Sequence, residues 1–430
     1  MRIAIVGSGI SGLVAGYLLS SEHEITVFEA NDYIGGHTHT VDVDWQGERH
    51  AIDTGFIVCN DRTYPNFLKL LDHLGVPLQP TSMSFSVRSD RTGLEYNGTS
   101  LNTMFAQRRN LFRPSFYRML KDILRFNRES LELLEKADDE ITVGEYVESR
   151  GYREEFIGQY LVPMGAAIWS CPPGVFRRFP MRFIVEFYHH HGLLSLTNRP
   201  EWSVIPGGSR NYVENLTASF RGQIRLSCPV RSVRRFRDYV EVRADGGPAE
   251  QFDQVIFACH SDQALDILDD ATRIEQELLS EFPYQTNIAV LHTDPAVLPR
   301  TRKAWASWNY HLPKAETAAA TVTYNMNILQ SLESKHVFNV TLNETDRIDP
   351  KKIIQTMTYH HPIYTTKRAS AQARHGELIQ NGRTSFCGAY WGNGFHEDGV
   401  NSALKVSEAF GITLDQVIQI QPQLQTNDAQ

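Results

Sequence analysis

The first thirty residues constrain the fold most, because they combine a strand, a glycine-rich turn, a helix and a second strand in one short unit. Residues 3–6 form an apolar run that predicts a buried parallel strand, and the turn at residues 7–12 has the spacing G-x-G-x-x-G. Residues 25–28 predict the next strand, which ends at Glu29. This order of elements is typical of a βαβ unit that binds a dinucleotide.

Each glycine of the turn has its own physical role. Gly7 permits the sharp turn, Gly9 lets the backbone approach a pyrophosphate at the helix N-terminus, and Gly12 lets the helix pack closely on the strand. Glu29 can accept hydrogen bonds from an adenosine ribose. We therefore predict a bound nucleotide cofactor.

Four later motifs narrow the choice of nucleotide. A glycine pair at 35–36 follows Glu29, and D-x-G follows at 53–55. The segment 202–216 reads W-x-V-x-P-G-G and continues to a tyrosine and a leucine, and the segment 386–400 contains C-G-A and G-F-H-E-D-G-V. Together these motifs resemble the flavin-containing amine oxidase and FAD-dependent desaturase superfamily, which includes monoamine and polyamine oxidases, protoporphyrinogen oxidase and carotenoid desaturases.

The chain resembles in particular bacterial FAD/NAD(P)-binding oxidoreductases that carry GGHTHT, DTGF and GFHEDG and are often encoded beside cyclopropane-fatty-acyl-synthase-like methyltransferases. The resemblance implies an amine-oxidase-like fold of two domains. A Rossmann-like α/β domain that binds FAD would comprise residues 1–75, 200–270 and 375–425. An interleaved α+β substrate domain, built on an antiparallel sheet and helices, would comprise residues 76–199 and 271–374.

The resemblance also implies a set of FAD contacts, which come from the first βαβ unit, the glycine pair, the D-x-G motif, the segment 386–400 and one further strand. They are Gly7, Gly9, Ile10, Ser11, Gly12, Glu29, Ala30, Gly35, Gly36, His37, Thr38, Gly55, Phe56, Val230, Gly388, Ala389, Asp398, Gly399 and Val400. A predicted helix at 400–410 would place its N-terminus beneath the flavin and stabilise negative charge at N1 and C2=O. The alternative for that segment is an N-capped surface helix.

No catalytic residue follows from the pattern, and we expect no metal site. Four candidates for catalysis are His190, Tyr390, Trp391 and His396. Of the three adjacent histidines at 189–191, no more than one could face the flavin, because successive helical positions point in different directions. The histidine pair at 360–361 precedes a proline and is interpreted as part of a loop.

Two departures from the amine-oxidase pattern bear on the substrate. His37 follows the glycine pair where many relatives have arginine, and the segment 287–292 lacks the flavin-facing lysine of many amine oxidases. These differences favour desaturase-like removal of hydride from a hydrophobic small molecule or a lipid, such as a fatty-acyl or phospholipid acyl chain. An amine oxidase that makes imine and hydrogen peroxide remains an alternative, as does a redox-sensing or partner-binding protein that holds FAD without catalysis. No second turn of the G-x-G-x-x-G spacing follows a strand, so oxygen or another external acceptor is expected to take the electrons.

Length, composition and charge argue against several other classes of protein. At 430 residues the chain exceeds a single hydrophobic core, and 41% hydrophobic and 21% charged residues are typical of a globular protein. The net charge of −8 gives no reason to expect nucleic acid binding. Met1 leads directly into a strand without an export segment, so we expect a cytoplasmic protein. Residues 421–430 are predicted to form a disordered tail.

The remaining segments predict the substrate half. A hairpin is expected at residues 84–97, and an antiparallel sheet is expected from four later segments, which are 287–292, 304–310, 320–326 and 336–342. The charge-free segment 160–170 suits either an apolar tunnel or ordinary core packing.

A basic segment stands out in this acidic chain. Residues 108–128 hold seven basic residues against one acid, and a helix from Ser115 would carry Arg118, Lys121, Arg125 and Arg128 as a stripe. Such a helix could bind an anionic membrane surface, which would place the protein at the inner face of the membrane. The alternative is a solvated helix face packed on the core.

Overall fold

The computed structural model describes residues 1–135, 141–218, 220, 222–315 and 319–420, so the predicted tail at 421–430 lies outside the described residues. The strands are β1 (Arg2–Val6), β2 (Glu24–Phe28), β3 (Thr40–Trp45), β4 (Glu48–Asp53), β5 (Cys59–Asn60), β6 (Gln79–Pro80), β7 (Phe85–Ser89), β8 (Glu95–Asn97), β9 (Trp202–Val204), β10 (Gln223–Arg225), β11 (Val230–Arg235), β12 (Val240–Ala244), β13 (Glu250–Phe252), β14 (Gln254–Phe257), β15 (Tyr284–His292), β16 (Trp308–Leu312), β17 (Val322–Asn325), β18 (Asn339–Leu342), β19 (Ile353–Pro362) and β20 (Thr384–Phe386).

The helices are α1 (Ile10–Leu19), α2 (Pro65–His73), α3 (Leu101–Met104), α4 (Pro114–Glu129), α5 (Val143–Ser149), α6 (Glu154–Phe156), α7 (Val162–Ile168), α8 (Pro173–Phe176), α9 (Met181–His190), α10 (Arg210–Ala218), α11 (Ser261–Ile267), α12 (Arg273–Leu279), α13 (Met326–Leu329), α14 (Arg368–Ala373), α15 (His396–Ala409) and α16 (Leu414–Ile420).

A five-stranded parallel sheet forms the nucleotide half, with strand order β10-β2-β1-β14-β20. The predicted βαβ unit is confirmed as β1, α1 and β2. Ile3, Ile5 and Val27 are fully buried, as expected for apolar strands of a parallel sheet that is covered on both faces. The strands come from widely separated parts of the chain, while the exact domain boundaries remain a prediction.

Helix α15 packs along α1 beneath this sheet. It begins at His396, four residues before the predicted start at residue 400. The reason lies in its cap, because the Phe395 N–H donates a hydrogen bond of 2.9 Å to Asp398 Oδ2. The acidic first turn is therefore already helical.

A seven-stranded sheet forms the substrate half, with strand order β19-β15-β18-β17-β16-β7-β8. The predicted hairpin is confirmed, since β7 and β8 pair antiparallel. The antiparallel sheet expected from the four later segments is confirmed in β15, β16, β17 and β18. The hairpin joins this sheet through β7, which runs parallel to β16. Because these two strands are far apart in the chain, no local turn fixes their relative direction.

The structure contradicts the loop interpretation of the histidine pair at 360–361. His360 and His361 lie in β19 and pair with Thr286 and Gln285 of β15. The long ladder between the two strands supplies backbone hydrogen bonds that outweigh the weak local signal before a proline.

Helices cover this second sheet. The predicted basic helix is present as α4, and its inner face buries Phe116, Met119 and Phe126. These side chains join a large aromatic core with Phe156 and Phe183. Across the described ranges of the chain, no helix combines the length and the apolar composition that crossing a membrane requires.

Candidate active site

A cavity of about 1570 Å³ extends from the glycine-rich turn after β1 to α3 and α4 at the far side of the substrate half. Predicted FAD contacts that line it are Gly7, Gly9, Ile10, Ser11, Glu29, Ala30, Gly35, Gly36, His37, Gly55, Phe56, Val230, Gly388 and Ala389. Predicted contacts outside its lining are Gly12, Thr38, Asp398, Gly399 and Val400. One continuous space thus joins the nucleotide half to the substrate half.

The glycines hold the N-terminus of α1 open to this cavity. Gly7 has a φ of +106°, and a Cβ placed there would lie 2.8 Å from the Ala258 carbonyl oxygen. A Cβ on Gly12 would overlap the Gly7 carbonyl, whereas a Cβ on Gly9 would meet no protein atom within 4 Å. Gly36 completes the cradle, because its Cβ would lie 3.1 Å from Gly9 Cα. The cradle fits a pyrophosphate at the helix N-terminus.

Glu29 is fixed in position at the end of β2. Its Oε2 accepts hydrogen bonds from the Ser8 N–H at 2.9 Å and the Ser8 hydroxyl at 2.6 Å. Its Oε1 accepts from the Asn31 backbone N–H and side-chain amide, both at 2.9 Å. Sequence reasoning missed Ser8 and Asn31, although both line the cavity and neighbour the predicted contacts. These bonds fix the carboxylate that, according to the resemblance, binds an adenosine ribose.

Through hydrogen bonds of Asp53, the D-x-G motif connects the segment after the glycine pair at 35–36 with the segment 202–216. Buried Asp53 accepts hydrogen bonds from the Ser209 N–H at 2.9 Å, the Ser209 hydroxyl at 2.8 Å and the Thr40 hydroxyl at 2.6 Å. Burial raises the pKa of Asp53 to about 6 despite these donors. A Cβ on Gly55 would overlap the His37 carbonyl, so this position also requires glycine. The motif thereby positions the loop that carries His37.

Thr38 and His396 belong to a buried hydrogen-bonded triad with Tyr212. The Thr38 hydroxyl lies 2.5 Å from the Tyr212 hydroxyl and 3.0 Å from His396 Nε2, and Tyr212 lies 2.9 Å from the same nitrogen. The His396 ring stacks on Phe56 at 3.6 Å. Burial, with a smaller effect of His37, lowers the pKa of His396 well below its ordinary value, so this ring is neutral at pH 7.

The corner from Asp398 to Val400 lies behind the cavity wall. The Ser11 hydroxyl donates to the Gly399 carbonyl at 2.9 Å, and a Cβ on Gly399 would lie 2.6 Å from Ile10 Cγ2. These residues therefore support the first turn of α1. Their predicted contact with the flavin itself remains a prediction.

Replacing Gly399 tests this support. We expect Gly399→Leu to push on Ile10 and Ser11, which weakens FAD retention and destabilises the fold by about 1–3 kcal/mol, the usual cost of overpacking. Thermal unfolding and the absorbance ratio of flavin to protein measure the two effects. Unchanged FAD retention, accompanied by an altered flavin spectrum, would instead favour a direct contact with the ring.

The four catalytic candidates are not brought together. His396 and Tyr390 line the cavity, whereas Trp391 stacks on His375 at 4.1 Å outside it and His190 is exposed. Of the three adjacent histidines at 189–191, His191 lines the cavity, and its Nε2 lies 3.2 Å from the Thr63 hydroxyl. Sequence reasoning could not select it, because α9 ends at His190 and the helical period no longer fixes the direction of the next side chain.

Beyond the nucleotide end, the cavity continues as an apolar arm. From the charge-free segment it is lined by Tyr160, Met164, Ile168, Trp169 and Ser170. Its outer part is lined by Leu101 and Met104 of α3 and by Leu120, Ile123, Leu124 and Asn127 of α4. In the described chain, five charged residues line the cavity: Glu29, Arg231 and Asp266 are at the nucleotide end, and Arg199 and Glu201 are in the loop before β9. Arg199 lies near the arm, because its charge partly offsets the effect of burial on the pKa of Tyr160.

Comparison with known proteins agrees with this architecture. Curated relatives include the putative flavin-containing monoamine oxidase AofH of Mycobacterium tuberculosis, which is 26% identical over 257 residues. That alignment covers 58% of this chain and 54% of AofH, so the chain spans about half the length of the curated relatives it matches.

Solved structures with the same fold extend over nearly the whole chain. A putative protoporphyrinogen oxidase from Exiguobacterium has 18% identity and a TM-score of 0.66, with coverage of 95% of this chain and 98% of that one. A CLA-producing fatty acid isomerase from P. acnes has 15% identity, a TM-score of 0.66 and the same coverage. Putrescine oxidase has 16% identity and a TM-score of 0.65, with coverage of 96% and 99%.

The sequence profile of one family, described as flavin containing amine oxidoreductase, matches residues 10–409. The chain therefore belongs to the flavin-containing amine oxidoreductases, a family of FAD-dependent oxidoreductases, and FAD is its cofactor.

Proposed function

We propose that this FAD-dependent oxidoreductase desaturates the acyl chain of a fatty acid or phospholipid: a hydride passes to FAD, a proton leaves the neighbouring carbon, a C=C bond forms, and oxygen or another external acceptor then takes the electrons. The observation that carries the proposal is the apolar arm. When bound, FAD supplies the hydride-accepting ring. The arm would hold a C–H bond against that ring and exclude water, which is the main contribution a protein makes to such a reaction.

The lining of the arm supports an acyl chain over a small amine. Tyr160, Met164 and Leu120 offer aromatic, thioether and aliphatic contacts, and the charged side chain whose effect reaches Tyr160 is the cation Arg199. An ammonium group would lose its hydration there without gaining a counter-ion, whereas each buried methylene gains about 0.8 kcal/mol.

The arm opens between exposed leucines. Leu101, Leu124 and Leu196 line the cavity and are also 81%, 55% and 70% exposed. Clustered apolar side chains at a cavity opening are typical of a surface that meets a membrane or an apolar partner. A lipid chain could therefore enter the arm directly from a bilayer.

Basic residues surround this opening. We define the mouth surface by its exposed apolar residues and the cations beside them, namely Leu101, Leu111, Phe112, Tyr117, Leu124, Arg108, Arg109, Arg113, Lys121 and Arg128. The only acid in residues 96–128, Asp122, is buried and pairs with Arg153 at 2.8 Å. This combination of cations and apolar side chains suits the anionic inner face of a membrane, and a peripheral, cytoplasmic location is part of the same proposal.

The mouth surface differs from the stripe that the sequence indicated. Arg118 donates to Glu155 at 3.0 Å, and Arg125 donates to Glu129 at 3.0 Å, so protein carboxylates neutralise both. Lys121 and Arg128 are exposed, and neither forms an ion pair within the described ranges. These two cations therefore remain available for lipid headgroups.

Anaerobic flavin reduction tests the proposal. The purified holoenzyme is mixed with oleic acid, with a phospholipid in detergent, and with putrescine or benzylamine, and flavin bleaching is followed. We expect the acyl substrates to bleach the flavin. Rapid reduction by an amine alone would favour the amine oxidase activity suggested by the name of AofH, and bleaching by neither class would favour a role without catalysis.

Narrowing the arm should affect long chains selectively. We expect Met164→Trp to slow flavin reduction by a long-chain fatty acid on the order of tenfold or more, since even one methylene in an apolar pocket changes rates by that much. Reduction by a short-chain acid is the control and should change little. Equal slowing of both substrates would indicate a general distortion of the site.

A further inference from the structure

Four histidines from three parts of the chain line the nucleotide end of the cavity. They are His37 after the glycine pair, His260 after β14, and His360 and His361 of β19. The rings of His37 and His361 lie 5.3 Å apart, and those of His260 and His360 lie 6.0 Å apart. The histidine cluster, as we call these four residues, is thus a compact group of imidazoles around one space.

The cluster borders the site for the pyrophosphate. His37 directly follows Gly36, which packs on Gly9, and His260 lies two residues after Ala258, which packs on Gly7. Strand β19 brings His361 against His37 from the substrate half. The cluster therefore faces the region where α1 presents its N-terminus to the cavity.

Among the described residues, no carboxylate forms a hydrogen bond or an ion pair with the histidine cluster. Asn287 lies 2.9 Å from His361 Nδ1 and Thr286 lies 3.2 Å from His360 Nδ1, while Tyr284 stacks on the His260 ring. His37 packs against Tyr359, and its buried Nε2 has no hydrogen-bond partner among the described residues. Other nearby groups that can carry charge include His39, Tyr33, Asp32, Glu29, Asp53, Cys259, Asp262, Asp266 and His396.

No arginine at this end of the cavity is free to face a bound pyrophosphate in the described structure. Arg231 lines the cavity but forms a bidentate pair with Asp245, and Arg199 lies in the loop before β9. In the described structure, no lysine lines the cavity. A pyrophosphate dianion bound here would therefore meet the helix dipole and the imidazoles.

We propose that the histidine cluster is the counter-charge for the FAD pyrophosphate and takes up protons as the cofactor binds. The inference rests on FAD as the cofactor and is independent of the acyl-chain substrate.

The direction of the pH effect follows from comparing the protein without FAD and the protein with FAD bound. Without the anion, burial and then the neighbouring histidines lower the pKa of His37 and His260 to about 4 and that of His361 to about 3. A bound dianion favours the protonated rings and raises these pKa values. FAD should therefore bind more tightly as the pH falls towards 4, and the gain should disappear once the pH exceeds the pKa values of the bound state.

FAD release from the holoenzyme measures this linkage. The holoenzyme is diluted at pH values from 6 to 9, and the fluorescence of released FAD gives the Kd. For each proton that the protein takes up when FAD binds, the Kd rises about tenfold for every unit by which the pH increases. We expect the wild-type Kd to increase at least about tenfold across this range.

Two variants separate the cluster from other causes of pH dependence. His260→Gln/His361→Gln should weaken FAD binding at pH 6 and flatten the pH profile, whereas exposed His190→Gln should reproduce the wild-type profile. Thermal unfolding of each holoenzyme at pH 6 identifies a variant that is merely misfolded, in which case single variants at His260 and His361 replace it. A flat wild-type profile, or an unchanged slope in folded cluster variants, would overturn the proposal without affecting the acyl-chain assignment.

Discussion

Gly9→Val should give a folded protein that retains about tenfold less FAD, or none. A Cβ at Gly9 meets no protein atom within 4 Å, so the new side chain costs little in packing. The backbone there is extended, with φ of −65° and ψ of 176°, which valine adopts readily. The isopropyl group would instead occupy the space in which the pyrophosphate approaches the N-terminus of α1. Flavin absorbance and thermal unfolding of the purified protein measure the two properties.

Two other glycines provide the controls. Gly247→Val also places a side chain in open space, but on the exposed surface, and should keep full FAD content. Gly12→Val should unfold the nucleotide half, because its Cβ would overlap the Gly7 carbonyl. If Gly9→Val retained FAD at the wild-type level, the pyrophosphate would not lie at this turn.

The nucleotide end was predictable because its determinants are local. The apolar run of β1, the spacing of the glycines and the acid at Glu29 occur within thirty residues, and each has a steric or hydrogen-bonding reason. Most of the implied FAD contacts line the cavity for the same reason, since they belong to short motifs that end strands or begin helices. Gly399 is an exception, because its contact with Ile10 joins two helices and only the packed structure reveals it.

The rest of the site depends on contacts between distant segments. Strand β19 forms because β15 pairs with it, and this pairing brings His361 to His37 across more than three hundred residues of chain. Likewise, the sequence shows that Arg118 and Arg125 are basic but not that Glu155 and Glu129 neutralise them. Periodicity along a helix predicts which face is exposed, but it does not identify the groups that other elements place beside that face.

The triple variant Phe112→Asp/Lys121→Glu/Arg128→Glu should lower affinity for anionic vesicles by at least about 100-fold. Each basic residue near an anionic surface contributes on the order of 1 kcal/mol, and reversal replaces that attraction with repulsion. Phe112 is 86% exposed, so inserting its ring into the bilayer would add about 1.5–3 kcal/mol. Vesicle sedimentation at low salt measures the binding, and wild-type binding should weaken as salt screens the charges.

FAD content should be unchanged in this variant, because the three side chains lie outside the cavity lining. The control Lys314→Glu/Lys351→Glu reverses two basic residues, as the triple variant does at Lys121 and Arg128, but at exposed positions outside the mouth surface, and should retain most of the binding. Flavin reduction by oleic acid in detergent should also survive in the triple variant, since the detergent delivers the chain to the arm without a bilayer. If the wild-type protein ignored anionic vesicles but reacted with oleic acid, the acyl-chain proposal would stand and the mouth surface would have to receive its substrate from solution or from a carrier.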